Sequence, residues 1–312
     1  RAEDAADQLA DLVPGSGHLV HMPAHIYWRV GRYDDAAKAN ITAASVDEAY
    51  IAQCNAQGFY PAMYYPHNIH FLWAAASMSG QRDMAIDAAQ KVADNVRLEQ
   101  IEQFPTVEFF KTIPILAQVQ FGQWDDILAS DAPPESLDYS NAIWRYARGV
   151  AAARSGDVTS ASGDRAVLAG LKDSVQISFL DTADYPASVL LGIADALLQG
   201  EIAMAEGNPE QAIPHFAAAV TAQDSLPYME PPFWYYPTRQ SLGEAYVAAG
   251  KFAEAESVYR KDLEEYPRNG WSMSGLVKAL ESQGKTEAAE EVEKTFAIVW
   301  RHSDIELDGS RL

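Results

Sequence analysis

The chain has 312 residues, and its 44 Asp and Glu outnumber 23 Lys and Arg to give a formal charge of −21 at pH 7. That balance excludes a nucleic-acid binder working by counterion release, which needs a basic face. Hydrophobic residues at 48% and charged ones at 21% can bury a sizeable core, no run reaches the roughly 18 consecutive apolar residues of a membrane span, and the single Cys54 excludes an internal disulfide framework or a Cys-rich zinc module. In chain order, Arg1 to Val13 comes first and sets Ala2, Ala5, Ala6, Leu9, Leu12 and Val13 on one helical stripe before Pro14-Gly15 stops it. Residues 1–13 are therefore expected to be the second helix of a hairpin whose first helix lies upstream. The start has neither the basic n-region nor the apolar h-region of a signal peptide, so the cytoplasm is the expected compartment unless residues preceding Arg1 dictate otherwise. After most apolar runs a turn element then recurs: GRYDDA at Gly31, GQRDMA at Gly80, a weaker GQWDDI at Gly122, GDVTSA at Gly156, GNPEQA at Gly207, GKFAEA at Gly250 and GKTEAA at Gly284. The steps from Gly122 to Gly156 and from Gly250 to Gly284 are equal in length, and the others are longer, as the same unit plus an insertion would be. Inserts rich in Pro and aromatic residues separate the units at Gly58 to Pro66, Asp131 to Tyr139 and Ser225 to Pro237. No sustained alternation of strand type occurs.

The unit around Gly250 reads Leu242-Gly243-x-x-Tyr246, then Ala255-x-x-x-Tyr259 and Pro267, and Ala212-x-x-x-Phe216 follows Gly207 in the same way. These residues resemble the tetratricopeptide repeat, in which a small residue lets paired helices approach and large ones fill the gap between neighbours. The two equal steps have the length of that repeat, roughly 34 residues. The resemblance implies an all-α fold, a right-handed superhelix of about seven hairpins over 1–312. It divides into His-rich repeats at 18–130, middle repeats at 141–222, C-terminal repeats at 237–302 and a tail at 303–312.

Histidines are unevenly placed in this register. His18 and His21 precede Gly31 by the same two offsets at which His67 and His70 precede Gly80. On a helix His25 returns to within about 20° of His18, so His18, His21 and His25 can share a face. In tetratricopeptide proteins these first-helix offsets resemble the positions that line the concave groove, which would present five imidazoles, with Tyr27 and Asn68, to one stretch of it. Imidazole is a good ligand for Zn, Cu or Fe, and pairs three or four apart on one helix face can chelate. The competing reading is a polar groove floor with no ion. The segments His21-Met22-Pro23-Ala24-His25 and Tyr64-Tyr65-Pro66-His67, with Asn269-Gly270-Trp271-Ser272, are similar to a bacterial tetratricopeptide subfamily with an HMPxH signature, a resemblance that implies fold and no reaction. Pro23 is expected to kink the first helix, since it has no N–H to offer the carbonyl of Leu19; alternatively the helix begins near Met22.

Other groups carry less. Arg29 and Arg32 are expected to pair with Asp34 and Asp35, although such a pair can hold an anion. The run Tyr228 to Tyr236 is expected to form a strap over the superhelix more than a stacking platform for a peptide. Asp47, Glu48, Asp181 and Asp184 matter for acid–base chemistry only if they converge on the histidines, and His215 and His302 are expected at the surface or in packing. No nucleophile elbow, phosphate loop, dinucleotide fingerprint or zincin motif is present. The acids are spread along second helices, as on a solvated exterior. The reading is a repeat scaffold that holds a peptide, protein or small ligand in its groove, with a His-lined N-terminal site; the alternative is a metalloenzyme using His18, His21, His25, His67 and His70, with Tyr27 or Tyr64 assisting.

Overall fold

The computed structural model describes residues 2–54 and 63–312, apart from the side chains of Ala10 and Asp11. Arg1 and most of the predicted insert at Gly58 to Pro66 lie outside the described residues. Among the described residues every regular element is helical. After α1 (Glu3–Leu12), the first hairpin pairs α2 (Gly17–His21) and α3 (Pro23–Arg29) with α4 (Tyr33–Cys54), and the second pairs α5 (Tyr65–Met78) with α6 (Arg82–Asp94). α7 (Leu98–Gln103) and a 3-10 helix at Pro105–Thr112 lead to α8 (Ile113–Gln120) and α9 (Trp124–Ala129). There follow α10 (Asp138–Arg154) with α11 (Val158–Leu171), the additional α12 (Val175–Thr182), and α13 (Ala187–Ala205) with α14 (Pro209–Asp224). Two hairpins complete the series, α15 (Arg239–Ala248) with α16 (Phe252–Glu265) and α17 (Gly270–Ser282) with α18 (Thr286–Val299). The longer steps between turn glycines thus hold the long α4, α7 with its 3-10 helix, α12, and the irregular stretch 225–237.

All seven predicted turns close in one way. Each turn glycine has a positive φ, from 67° at Gly122 to 84° at Gly156. The next residue donates across the turn, as Arg32 N–H does to the Tyr27 carbonyl at 2.8 Å and Lys285 N–H to that of Leu280 at 3.0 Å. This is the Schellman closure, and the left-handed conformation it demands favours glycine. Between hairpins a second use of glycine appears: a Cβ on Gly243 or on Gly275 would stand 2.4 Å from Cζ of the fully buried Tyr259. The Tyr259 ring lies between the two helices because both offer it bare backbone. α13 is long and apolar enough to cross a bilayer by length and composition. It is a core helix here, with Leu190, Leu191, Ile193, Leu197 and Leu198 buried against α10, α11 and α14.

The superhelix does not stay open. Trp271 of α17 donates its Nε1–H to the Ser77 carbonyl of α5 at 2.9 Å, across 194 positions of sequence. Gly31 lies against the Pro267 carbonyl, and the Trp300 ring covers Gly80 and Gly270. Ser303 Oγ donates to the Gly80 carbonyl at 3.0 Å, and the Asp304 carboxylate accepts the backbone N–H groups of Arg82 and Asp83 at 2.7 and 2.9 Å. α6 has no capping side chain of its own, so this distant carboxylate satisfies its first donors. The last hairpin and tail therefore close on the first two hairpins. The interior is filled from within. Residues 225–237 run across it as a strap that buries Trp234, Tyr235 and Tyr236, with the Tyr235 hydroxyl 3.0 Å from that of Tyr146. The tail tucks in behind: Ser310 Oγ donates to the Gln240 carbonyl at 2.8 Å, and the buried Arg311 guanidinium lies 3.9 Å from the centre of the Tyr236 ring.

Candidate metal centre and ligand cavity

Helix geometry and one proline place the histidines. α2 ends at His21 and α3 begins with Pro23, while Met22 between them keeps right-handed helical angles (φ −52°, ψ −35°). The helical path continues through an interrupted ladder, as expected of the kink at Pro23. His21 and His25 sit on either side of the break with their Nε2 atoms 3.0 Å apart. His67, in the first turn of α5 on the neighbouring hairpin, brings its Nε2 to 3.1 Å from that of His21. The ligating nitrogens of these three residues all lie within 4.8 Å of one another.

The outer nitrogens decide what the inner ones can do. Asn40 is buried and donates its Nδ2–H to the Ala36 carbonyl at 2.8 Å. Its Oδ1 is thereby turned to His21 Nδ1, 2.7 Å away, and can only accept. His21 therefore carries its proton on Nδ1. His25 Nδ1 donates in the same way to Glu230 Oε2 at 2.6 Å, and that carboxylate, with its side chain 6% exposed, also accepts from the Tyr228 hydroxyl. In their neutral forms His21 and His25 direct bare Nε2 lone pairs at each other with no proton between them. Burial pushes His21 down to about 3, reinforced by His67, and burial pushes His67 down to about 4, reinforced by His25 and His18. Neutral imidazole is the ligating form. Tetrahedral zinc with bonds of about 2.0–2.1 Å sets its nitrogens about 3.3 Å apart, close to the 3.0 and 3.1 Å of the two pairs that share His21, while the His25–His67 pair lies within 4.8 Å. The donor types suit a divalent transition metal, with the outer N–H groups of His21 and His25 oriented by an amide and a carboxylate.

The other two candidate imidazoles stand apart from this trio. His18 has its ring centre 5.6 Å from that of His21 and 6.4 Å from that of His67, lies edge-on to Tyr64 at 4.6 Å, and leaves a buried Nδ1 without a hydrogen bond. His70 turns away altogether, stacking on Trp73 at 5.2 Å with Phe109 and Phe110 around it. His70, three positions on from His67, is held among these rings and not at the centre. Tyr27 faces α1, donating to Asp7 at 2.8 Å beneath the Arg32 guanidinium. Asn68 is buried and donates to Asp47 Oδ2 at 2.8 Å. Glu48 accepts from Tyr65 and Lys91, and Asp181 from the backbone N–H of Ser188, so neither joins the histidines. Arg32 pairs with Asp35 at 2.7 Å and with Asp7 at 3.0 Å, whereas Arg29 points to Glu230 at 3.8 Å and not to Asp34. His302 is exposed near Asp34, and His215 is half-buried on α14.

Beside the trio opens a cavity of about 480 Å³. His18, His67 and Glu230 form its end nearest the trio, Trp73, Phe109, Phe110, Tyr185 and Phe233 its walls, and Asp184 its rim. Asn40 and Glu230 are the site residues that sequence reasoning missed. Asn40 lies mid-helix in α4 with no motif around it, and Glu230 follows His25 by 205 positions.

Residues 241–297, which span α15 to α18, match the tetratricopeptide repeat family. The protein carries tetratricopeptide repeats. Its seven turns share the one closure described above, and the two repeats matched are the last of the series. Among solved structures 16 chains match. One, the crystal structure of the APC/C hetero-tetramer Cut9–Hcn1, is similar at 14% identity with a TM-score of 0.28, covering 97% of this chain, which spans 59% of that one. No curated protein matches the chain.

Proposed function

We propose that this repeat protein binds a divalent transition metal, Zn, Cu or Fe, on His21, His25 and His67, and holds a small ligand in the adjoining cavity. One observation carries the reading: Asn40 and Glu230 accept the outer N–H groups of His21 and His25, leaving inner lone pairs at 3.0 Å that repel unless a metal ion or a further proton lies between them. Tetratricopeptide repeats commonly form scaffolds for protein partners along a concave surface. In this chain that surface is occupied by the strap and the tail, so a peptide taking the same place would have to displace Trp234, Tyr235 and Arg311. A small ligand displaces nothing. Elemental analysis of the purified protein after loading with each metal tests the site. About one equivalent per chain is expected in the wild type and none in His21→Ala or His67→Ala, with helical content retained; wild-type protein that takes up no metal ends the proposal.

A second reading, a metal-dependent enzyme, is favoured by the number of ligands. Three protein ligands leave a fourth position, the arrangement of catalytic rather than structural zinc, and His67 belongs to both the trio and the cavity wall. A metal there would polarise a bound water or a ligand oxygen. Cobalt-loaded protein should then change its visible spectrum between about pH 6 and 9 as that water loses a proton. A constant spectrum would exclude a bound water that ionises in this range.

A further inference from the structure

We propose that the cavity beside the histidine trio takes an uncharged aromatic molecule bearing a hydroxyl group, and that His70 is the residue that selects it. This deepens the functional reading above and rests on the cavity being the ligand's seat, while standing independently of the metal. Shape comes first. At about 480 Å³ the cavity has the volume of a small-molecule site, and its walls are flat rings, with Phe109 stacked against Tyr185 at 5.5 Å and His70 against Trp73 at 5.2 Å. Aromatic walls favour a planar occupant through offset and edge contacts.

Charge narrows the class. No Lys or Arg lines the cavity, so in the metal-free protein an anion leaving water would find no counter-charge. Its two acidic groups offer little to a cation: Glu230 is committed to His25 and Tyr228, and Asp184 is exposed at the rim. An uncharged occupant remains. Within the walls, the Tyr185 hydroxyl is spent on that of Tyr139 at 2.9 Å. His70 is buried among the aromatic walls, lines the cavity and makes no hydrogen bond among the described residues. Among those residues three other lining groups, His18 Nδ1 and the indole N–H groups of Trp73 and Trp234, are also buried without a partner, but the indoles can only donate and His18 stands at the end nearest the trio. A neutral imidazole has one donor and one acceptor, and a hydroxyl group can answer either. A buried polar group of this kind discriminates strongly, because a ligand without the hydroxyl leaves it unsatisfied.

Calorimetric titration with three bicyclic probes, 2-naphthol, naphthalene and 2-naphthalenesulfonate, tests this in zinc-loaded and metal-free protein. Naphthol should bind wild-type protein at least about tenfold more tightly than naphthalene, and in the metal-free protein the sulfonate should not bind. His70→Phe should bring naphthol down to the naphthalene level and leave naphthalene unchanged, while Ala183→Trp, which fills the lining, should abolish both. Sulfonate binding equal to naphthol in the metal-free protein, or naphthol affinity unaffected by His70→Phe, would overturn the proposal. Protein that holds zinc but no naphthol would overturn it and leave the metal reading standing, whereas naphthol bound by a chain that takes up no metal would support it alone.

Discussion

Asn40 acts on the candidate centre without reaching it. By fixing the proton of His21 on Nδ1 it determines which nitrogen faces inward, and nothing in the letters around it announces that task. Replacing it with Leu removes the acceptor and leaves a buried N–H without a partner, so Asn40→Leu should lower metal affinity about 10–100-fold and stability by about 1–3 kcal/mol, read by chelator competition and urea denaturation. Asp262 presents a second buried polar question. It is fully buried, accepts from Ser272 Oγ and Asn269 Nδ2, and burial pushes its carboxyl up to about 7 from 3.8. Its folded form therefore holds the proton better than its unfolded form does, so stability is lost as pH rises between those two values and levels off above them. Asp262→Asn, which keeps an oxygen acceptor, should melt higher than wild type at about pH 8, with the gap shrinking towards about pH 4; a gap that does not vary with pH would exclude the raised pKa. At this scale repeat register drew attention to five histidines but not to which of them converge, since His21 and His67 hold different offsets and His18 and His70, at the matching ones, stand apart. The partners that orient them were not legible, since hydrogen bonds between distant helices leave no spacing to count.

Elements were the most legible level. The turn glycines could be found from sequence because a Schellman closure requires a left-handed residue at one fixed place, and seven such places were visible as a recurring Gly. The same physics predicts unequal effects of substitution. Gly156 has φ 84° and open space around a built Cβ, so Gly156→Ala should cost about 1–2 kcal/mol from backbone conformation alone. Gly243→Ala must instead push against the Tyr259 ring and should cost about 1–3 kcal/mol by overpacking, with Tyr259→Leu relieving part of the loss in a double-mutant cycle; equilibrium unfolding measures both. Pro23 illustrates the limit of sequence at this level. Its missing N–H was evident, but only the neighbouring turn at Met22 shows that the helical path goes on and delivers His21 and His25 to one point.

Whole-molecule form was the least legible, because closure depends on the sum of small rotations between hairpins and on contacts between the two ends of the chain. Open repeat arrays unfold as nearest-neighbour sums. Here Trp271, Trp300, Ser303 and Asp304 tie the last hairpin and tail to the first two, which should make the repeats lose structure together. Trp300→Ala, which uncovers Gly80 and Gly270, should cost about 3–5 kcal/mol and separate the unfolding of the N- and C-terminal repeats, visible as denaturation curves from probes in each half that no longer coincide. The strap adds a constraint of a different kind. All three imidazoles are present in the chain once His67 has been made, yet the carboxylate that orients His25 follows it by 205 positions. During synthesis the imidazoles leave the ribosome long before Glu230 does, so an ion met early finds His25 free to present either nitrogen. Arrival of the strap would then fix the ring, so in the proposed centre the order in which the chain emerges would be part of assembly.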